Sequence, residues 1–251
     1  MPAPHCAAMT AFFFALPRQH GAAAIEFAVA GAFVMLLGML GIEAARWQAV
    51  RQMTHLALIE AARAGATSHG NPTRMRQAFQ QGLLPLHAGA GGEAAARRRQ
   101  LQVQDKVTTL TGLTPWRIEV LRPDARAFRE HARPGLTVAA APGLRLIDND
   151  YQDLQHARRP APPGGSSIFD ANTLQLRLTY LHEPLWPPMR ALLSLLGRDD
   201  ASYAGVARTQ GLLPIRVELE MEMHSHPADW AAKRPYPAGV VYGACRDAHC
   251  G

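Results

Sequence analysis

Apolar residues run almost without interruption along one stretch of this chain and alternate with polar ones along two others. Residues 22–42 are apolar or small throughout, with Glu26 as the only charge. A hydrocarbon core of about 30 Å takes about 20 helical residues to cross, so the run predicts a single transmembrane helix. A cleaved secretory signal would have a shorter apolar region, about 7–15 residues, and a small-residue cleavage site after it. An earlier apolar run, residues 11–16, is too short to span and leaves open whether the chain starts at Met1 or Met9. From residue 43 to about 67 the sequence stays helix-compatible, Ala-rich and free of Pro, until Gly65, Gly70 and Pro72 end it. The two parts together predict one helix of about 45 residues, about 65–70 Å long at 1.5 Å per residue. The alternative is a break near Trp47, a residue suited to a membrane interface.

Period-two alternation marks two strands. In residues 174–180 the Leu residues and Tyr180 share one face; in 217–223 Val217, Leu219, Met221 and Met223 share one face and Glu218, Glu220 and Glu222 the other. Each apolar face suits the long helix, and as neighbours the strands would let Arg177 pair with one of the glutamates. The even spacing of those glutamates reads as a solvated face rather than a metal or acid–base site. Trp116-Arg-Ile-Glu-Val120 carries a shorter strand signal, and residues 73–84 suit a helix. Residues 101–110 are ambiguous, residues 139–165 are loop-rich, and 160–167 (PAPPGGSS) is the strongest breaker. Between the two strong strands, Pro187 and Pro188 suit a helix start, and Leu192, Leu193, Leu195 and Leu196 form an apolar patch. That patch serves either as a subunit contact or as packing on the sheet. The fold class expected is α/β (α+β): a long N-terminal helix and a small head with an antiparallel sheet.

Composition changes little in this picture. The chain has 251 residues, 48% of them hydrophobic, which excludes disorder throughout. All but Lys106 and Lys233 of the 26 basic residues are arginine, scattered apart from Arg97, Arg98 and Arg99. Scattered Arg beside abundant Ala, Gly and Pro reflects a GC-rich genome better than a nucleic-acid surface, which concentrates its cations on one element. No phosphate-binding loop, Gly-x-Ser-x-Gly, His-Glu-x-x-His or dinucleotide fingerprint is present, so no catalytic residue and no cofactor is assigned. Arg18 precedes the apolar run while Arg46 and Arg51 follow it. That count favours the other orientation for a secreted body, but long domains translocate largely regardless of it.

Glu26 is the residue that asks for an explanation. A carboxylate within an apolar helix costs a few kcal/mol unless it is paired or interfacial. An interfacial Glu favoured by the helix dipole is one account. The other starts from a cut after Gly21: Ala22 then carries a new amino group, and Glu26 is residue five of the shortened chain. In a filament the Glu of one subunit can pair with the amine of its neighbour in a low-dielectric core, which sets the axial register.

The stretch Arg18-Gln-His-Gly21, Ala-Ala-Ala-Ile-Glu26-Phe27-Ala28 resembles the leader junction of TadE/TadG-like pseudopilins, minor pilin-like proteins of the Tad (tight adherence, Flp pilus) systems. The resemblance continues through Val50-Arg-Gln-Met53 to Glu60-Ala-Ala-Arg-Ala-Gly-Ala66 and covers about a fifth of the chain. The leader departs from the pattern in its length, in the apolar residues 11–16 and in its single Arg before the glycine. The resemblance implies a leader over 1–21, a transmembrane helix over 22–42, its continuation over 43–70 and a periplasmic head over 71–251. It implies processing by a prepilin peptidase between Gly21 and Ala22, with Glu26 as the pairing group and Phe27 packed in a helix bundle. Its partners would be other pilin-like subunits and the inner-membrane Tad assembly platform, in pilus biogenesis or adhesion, and not nucleic acid.

The tail leaves a rival open. His224, His226, Cys245, His249 and Cys250 are soft ligands, and a signal-anchored periplasmic enzyme or metal-binding domain would use them, although the spacing of a zinc finger is missing. The alternative is covalent. If the leader takes Cys6 with it, Cys245 and Cys250 are the remaining pair, and an oxidising periplasm lets them close a short loop.

Overall fold

The computed structural model describes residues 22–161, 163–197 and 201–250. Its first element, α1 (Ala22–Thr67), is a helix of 46 residues that passes Trp47 without a break. Up to residue 42 the large side chains are exposed whichever way they point: Ile25, Phe27, Phe33, Val34, Met35, Leu37 and Ile42. An all-apolar helix surface belongs in lipid or against other chains rather than in water. Among the described residues this is the one helix long and apolar enough to cross a membrane.

From Glu43 the chain forms a second unit, Glu43–Gly251, in which α1 behaves differently. It buries Thr54, Ala57, Leu58, Ala61, Ala62 and Ala66, a stripe at three-and-four spacing that faces a core. The other side of that core is a four-stranded sheet of β1 (Trp116–Arg122), β2 (Thr173–His182), β3 (Leu213–Glu222) and β4 (Val240–Tyr242). The strand order is β3-β2-β1-β4. Across β2 and β3 the apolar residues stand opposite one another, Leu174 with Met221, Leu176 with Leu219 and Leu178 with Val217. They join Trp116, Ile118 and Val120 of β1 and the α1 stripe in one cluster.

β2 runs antiparallel to both β1 and β3, but β4 runs parallel to β1. The sheet is therefore mixed, where the alternation in the two strong strands suggested an antiparallel one. The difference comes from β4. It has only three residues, too few to show a period, and it reaches β1 by the long return after β3 that a parallel pairing requires. On the opposite face of β3, Glu218, Glu220 and Glu222 are exposed, and Arg177 Nε donates to Glu218 Oε1 at 2.7 Å.

Helices close the unit around the core. In α2 (Pro72–Gly82) the Asn71 side chain caps the backbone N–H groups of Thr73 and Arg74, and Pro72 fills the first position. Phe79 of α2 packs on Trp116 with ring centroids 4.7 Å apart. Residues 101–110 belong to α3 (Gly92–Thr111). The loop-rich stretch 139–165 contains one short helix, α5 (Gln152–Arg158); α4 (Ala125–His131) precedes it and α6 (Ile168–Ala171) follows. The Leu-rich insert between β2 and β3 forms α7 (Pro187–Leu196), followed by α8 (Tyr203–Thr209).

Small residues set the depth at which α1 enters the core. A Cβ on Gly82 would lie 2.8 Å from Ala57 Cα, and one on Gly65 would lie 2.7 Å from Met75 Sδ. The Gly82 neighbour is backbone and cannot turn aside. Overpacking costs about 1–3 kcal/mol, more than the roughly 1 kcal/mol that alanine gains over glycine in a helix. Gly82→Ala is therefore expected to lower the thermal midpoint of the detergent-solubilised protein, and an unchanged or raised midpoint would contradict this packing.

Candidate functional site

The residues singled out at the N-terminus fall at the start of α1. Gly21 and Cys6 lie outside the described residues, and Ala22 is the first residue of the helix. Glu26 is exposed, and among the described residues no side chain pairs with it. Phe27, one position on, is 79% exposed. This end of α1 thus presents a carboxylate and an aromatic ring on an otherwise aliphatic surface.

A second polar feature sits where the apolar run stops. Glu43 is buried. Its Oε2 accepts the backbone N–H of Leu185 at 3.0 Å and that of Trp186 at 3.4 Å, so the carboxylate tethers α1 to the residues that lead into α7. Its Oε1 lies 3.6 Å from Nε2 of buried His182, an ion-pair distance rather than a hydrogen bond. Next to it, Glu183 takes Lys106 Nζ at 2.7 Å and Arg190 Nη1 at 2.8 Å. Glu43, His182, Glu183, Lys106 and Arg190 form a polar collar drawn from α1, α3, β2 and α7. Burial holds the His182 pKa below that of a free imidazole and the nearby Arg46 lowers it further; Glu43 and Glu183 oppose both.

The C-terminal tail is a structural clasp. Cys245 and Cys250 are joined as a disulfide with their Cα atoms 6.3 Å apart. The polar face of β1, which alternation would leave in water, is buried beneath this tail. Arg117 donates to the carbonyls of Cys245, Asp247 and Ala248, and Glu119 Oε1 accepts the Cys245 N–H at 2.7 Å. Arg117 also stacks on Tyr203, 4.0 Å from the ring centroid. The Tyr203 hydroxyl donates to the Thr114 carbonyl, and burial raises its pKa. A cleft of about 420 Å³ beside the tail is lined by Arg117, Thr114, Tyr236, His249 and Cys250; its one deeply buried cation, Arg117, already holds three carbonyls.

The soft ligands of the tail are not gathered at one point. The group of three among the described residues whose donor atoms converge is Asp148, Asp150 and His226. The donors of Asp148 and His226 are engaged internally. His226 Nδ1 accepts the Asn149 N–H at 3.0 Å, Asp148 Oδ1 accepts the Asp150 N–H at 3.0 Å, and Asp148 Oδ2 pairs with Arg133. The arrangement fixes a loop. Set against family models, curated proteins and solved structures, the chain matches none.

The collar, and the strand face that the tail covers, were not readable from the sequence. Glu43 stands alone at the end of an apolar run, and its partners at 182–186 lie about 140 positions further along. Arg117 and Glu119 look like any solvated strand face until the tail is placed over them.

His182 yields a pH dependence. Its pKa is lower in the folded state than unfolded, so as pH falls the unfolded chain takes up the proton first. The His182 contribution is complete above about pH 6.5, the value of an unperturbed histidine. It is lost progressively below that, down to the folded-state value. His87 is shifted the same way, by burial and then by Arg99, and adds a slope of the same sign. The thermal midpoint is therefore expected to drop between pH 7.5 and 5, and to drop less in His182→Gln. Equal slopes in the two proteins would remove His182 as a cause.

Proposed function

We propose that this chain is a minor pilin-like subunit of the TadE/TadG-like pseudopilin type, serving pilus biogenesis or adhesion in a Tad/Flp system. In this reading it is an inner-membrane protein with a single pass and a periplasmic head, and it acts by assembly rather than by catalysis. The observation that carries the reading is the double character of α1. Its first part is apolar on all sides, and its second part is the spine of the head, within one unbroken helix Ala22–Thr67. A subunit built so can lie in the bilayer before assembly and then pass the same surface to neighbouring helices in a filament, exchanging lipid for protein without unfolding.

The chemistry at the N-terminal end supports it. A prepilin peptidase would cut between Gly21 and Ala22, leaving an ammonium at the first helical residue. Glu26, unpaired among the described residues, would then accept the ammonium of an adjacent subunit. The low dielectric that makes an isolated carboxylate expensive makes that pair strong. Phe27 would pack beside it. The partners are the peptidase, other pilin-like subunits and the inner-membrane assembly platform.

Two measurements test this. Intact mass or Edman sequencing of the membrane-extracted protein is expected to give Ala22 as the first residue. An unprocessed start, in cells with an active prepilin peptidase, overturns the reading. Glu26→Ala is expected to insert in the membrane like the parent protein but to fail in assembly, scored by pilus formation; normal pili would remove the pairing role.

A further inference from the structure

The insert between β2 and β3 turns a row of leucines outward. No residue of α7 is buried. The positions that turn inward are Met189, Arg190 and Leu193, each half-buried. A Cβ on Gly211 would stand 2.9 Å from the Arg190 carbonyl oxygen, and one on Gly197 would stand 3.0 Å from the Thr209 nitrogen, so α7 sits closely on the end of α8 and the turn that follows it. Arg190 points to Glu183. On the other side Pro188, Leu192, Leu195 and Leu196 are exposed, with Leu185 just before the helix. The spacing from 188 through 192 and 195 to 196 is one helical face. Leu195 is 82% exposed, and of the four leucines 192, 193, 195 and 196 only Leu193 turns inward.

Its place in the chain suggests what covers it. The N–H groups that lead into α7 are bound by Glu43, the first residue after the apolar run. Two tryptophans flank this tether: Trp186, partly exposed, and Trp47, 37% exposed and stacked with Arg51. Tryptophan beside cations at the end of an apolar helix is the composition of a membrane–water boundary. A helix with leucines on one side and no acidic residue along its length suits the headgroup–acyl border, where such helices sink about 5–10 Å.

We propose that α7 is a second membrane contact: it lies along the bilayer surface with Leu185, Leu192, Leu195 and Leu196 in lipid, held at that level by Glu43. This rests on residues 22–42 spanning the membrane and adds a monotopic foot to that anchor. Two anchoring points limit tilt and rotation of the unit on the membrane, which a single helix does not.

The test uses the full chain carrying Cys6→Ser, reconstituted in vesicles of phosphatidylethanolamine and phosphatidylglycerol. Nitroxide labels are placed singly at Leu195→Cys, at Phe33→Cys and at Glu220→Cys on the exposed face of β3. Collision with oxygen, which concentrates in lipid, is compared with collision with a water-soluble nickel chelate. The expected result is a several-fold higher oxygen-to-nickel ratio at position 195 than at 220, approaching that at 33. A ratio at 195 equal to that at 220, with 33 in lipid, overturns the proposal and leaves the span intact. Exclusion of both reagents at 195 overturns it in favour of a protein partner. A water-like ratio at 33 removes the span and the proposal together.

Discussion

The close seating of α1 on the sheet is the contact on which the rest of the head depends. Ala57, Ala61, Ala62, Gly65 and Ala66 leave almost no side chain between the helix backbone and its neighbours. Leu58 fills the gap beside them, and Met75, Phe79 and Trp116 close the end. This fixes where α2 can cross, through Gly82 on Ala57, and which face of the sheet is apolar. The resemblance to the phrase Glu60-Ala-Ala-Arg-Ala-Gly-Ala66 falls on this seam, so that stretch has a packing reason of its own, independent of any family.

Buried charged groups outside this seam are paired or bound to backbone. Arg117 and Glu119 lie under the tail and satisfy its backbone groups, Arg145 holds buried Asp229, and Arg133 holds Asp148. Arginine suits these places because its planar fork reaches several acceptors at once and stays charged when partly desolvated. Although burial lowers the Arg117 pKa, Tyr203, Glu119 and Asp247 work in the opposite direction. The arginine-rich composition, which says little about function, thus fastens loops and the tail of this unit.

Legibility in the sequence followed the length and purity of each pattern. The apolar run and the strict alternation in β2 and β3 are long, and their elements formed where expected, with β2 and β3 each running to 10 residues. α4, α5 and α8 have seven residues each, two turns in which no period can establish itself. β1 was visible as a strand, but its alternation does not reveal that Arg117 and Glu119 are buried, because what covers them comes from the far end of the chain. The collar failed for the same reason: Glu43, Lys106, His182 and Arg190 are unremarkable singly and become a feature only when four elements meet. Glu26 and its neighbour Phe27 stand out as candidates because a carboxyl side chain in an apolar run is conspicuous without any tertiary information.

The unbroken course of α1 bears on how the molecule can be divided. The sequence invites a cut near residue 70, where the helix ends and the mixed α and β pattern begins. A fragment beginning there would lose the seam residues 57–66 and leave Leu174, Leu176, Leu178, Trp116 and Phe79 facing water, a surface prone to clumping. The smallest piece that keeps its own interior begins at Glu43, so twenty-odd residues that read as stalk belong to the folded body. Protease nicking between 43 and 67 would therefore dismantle the head rather than release it.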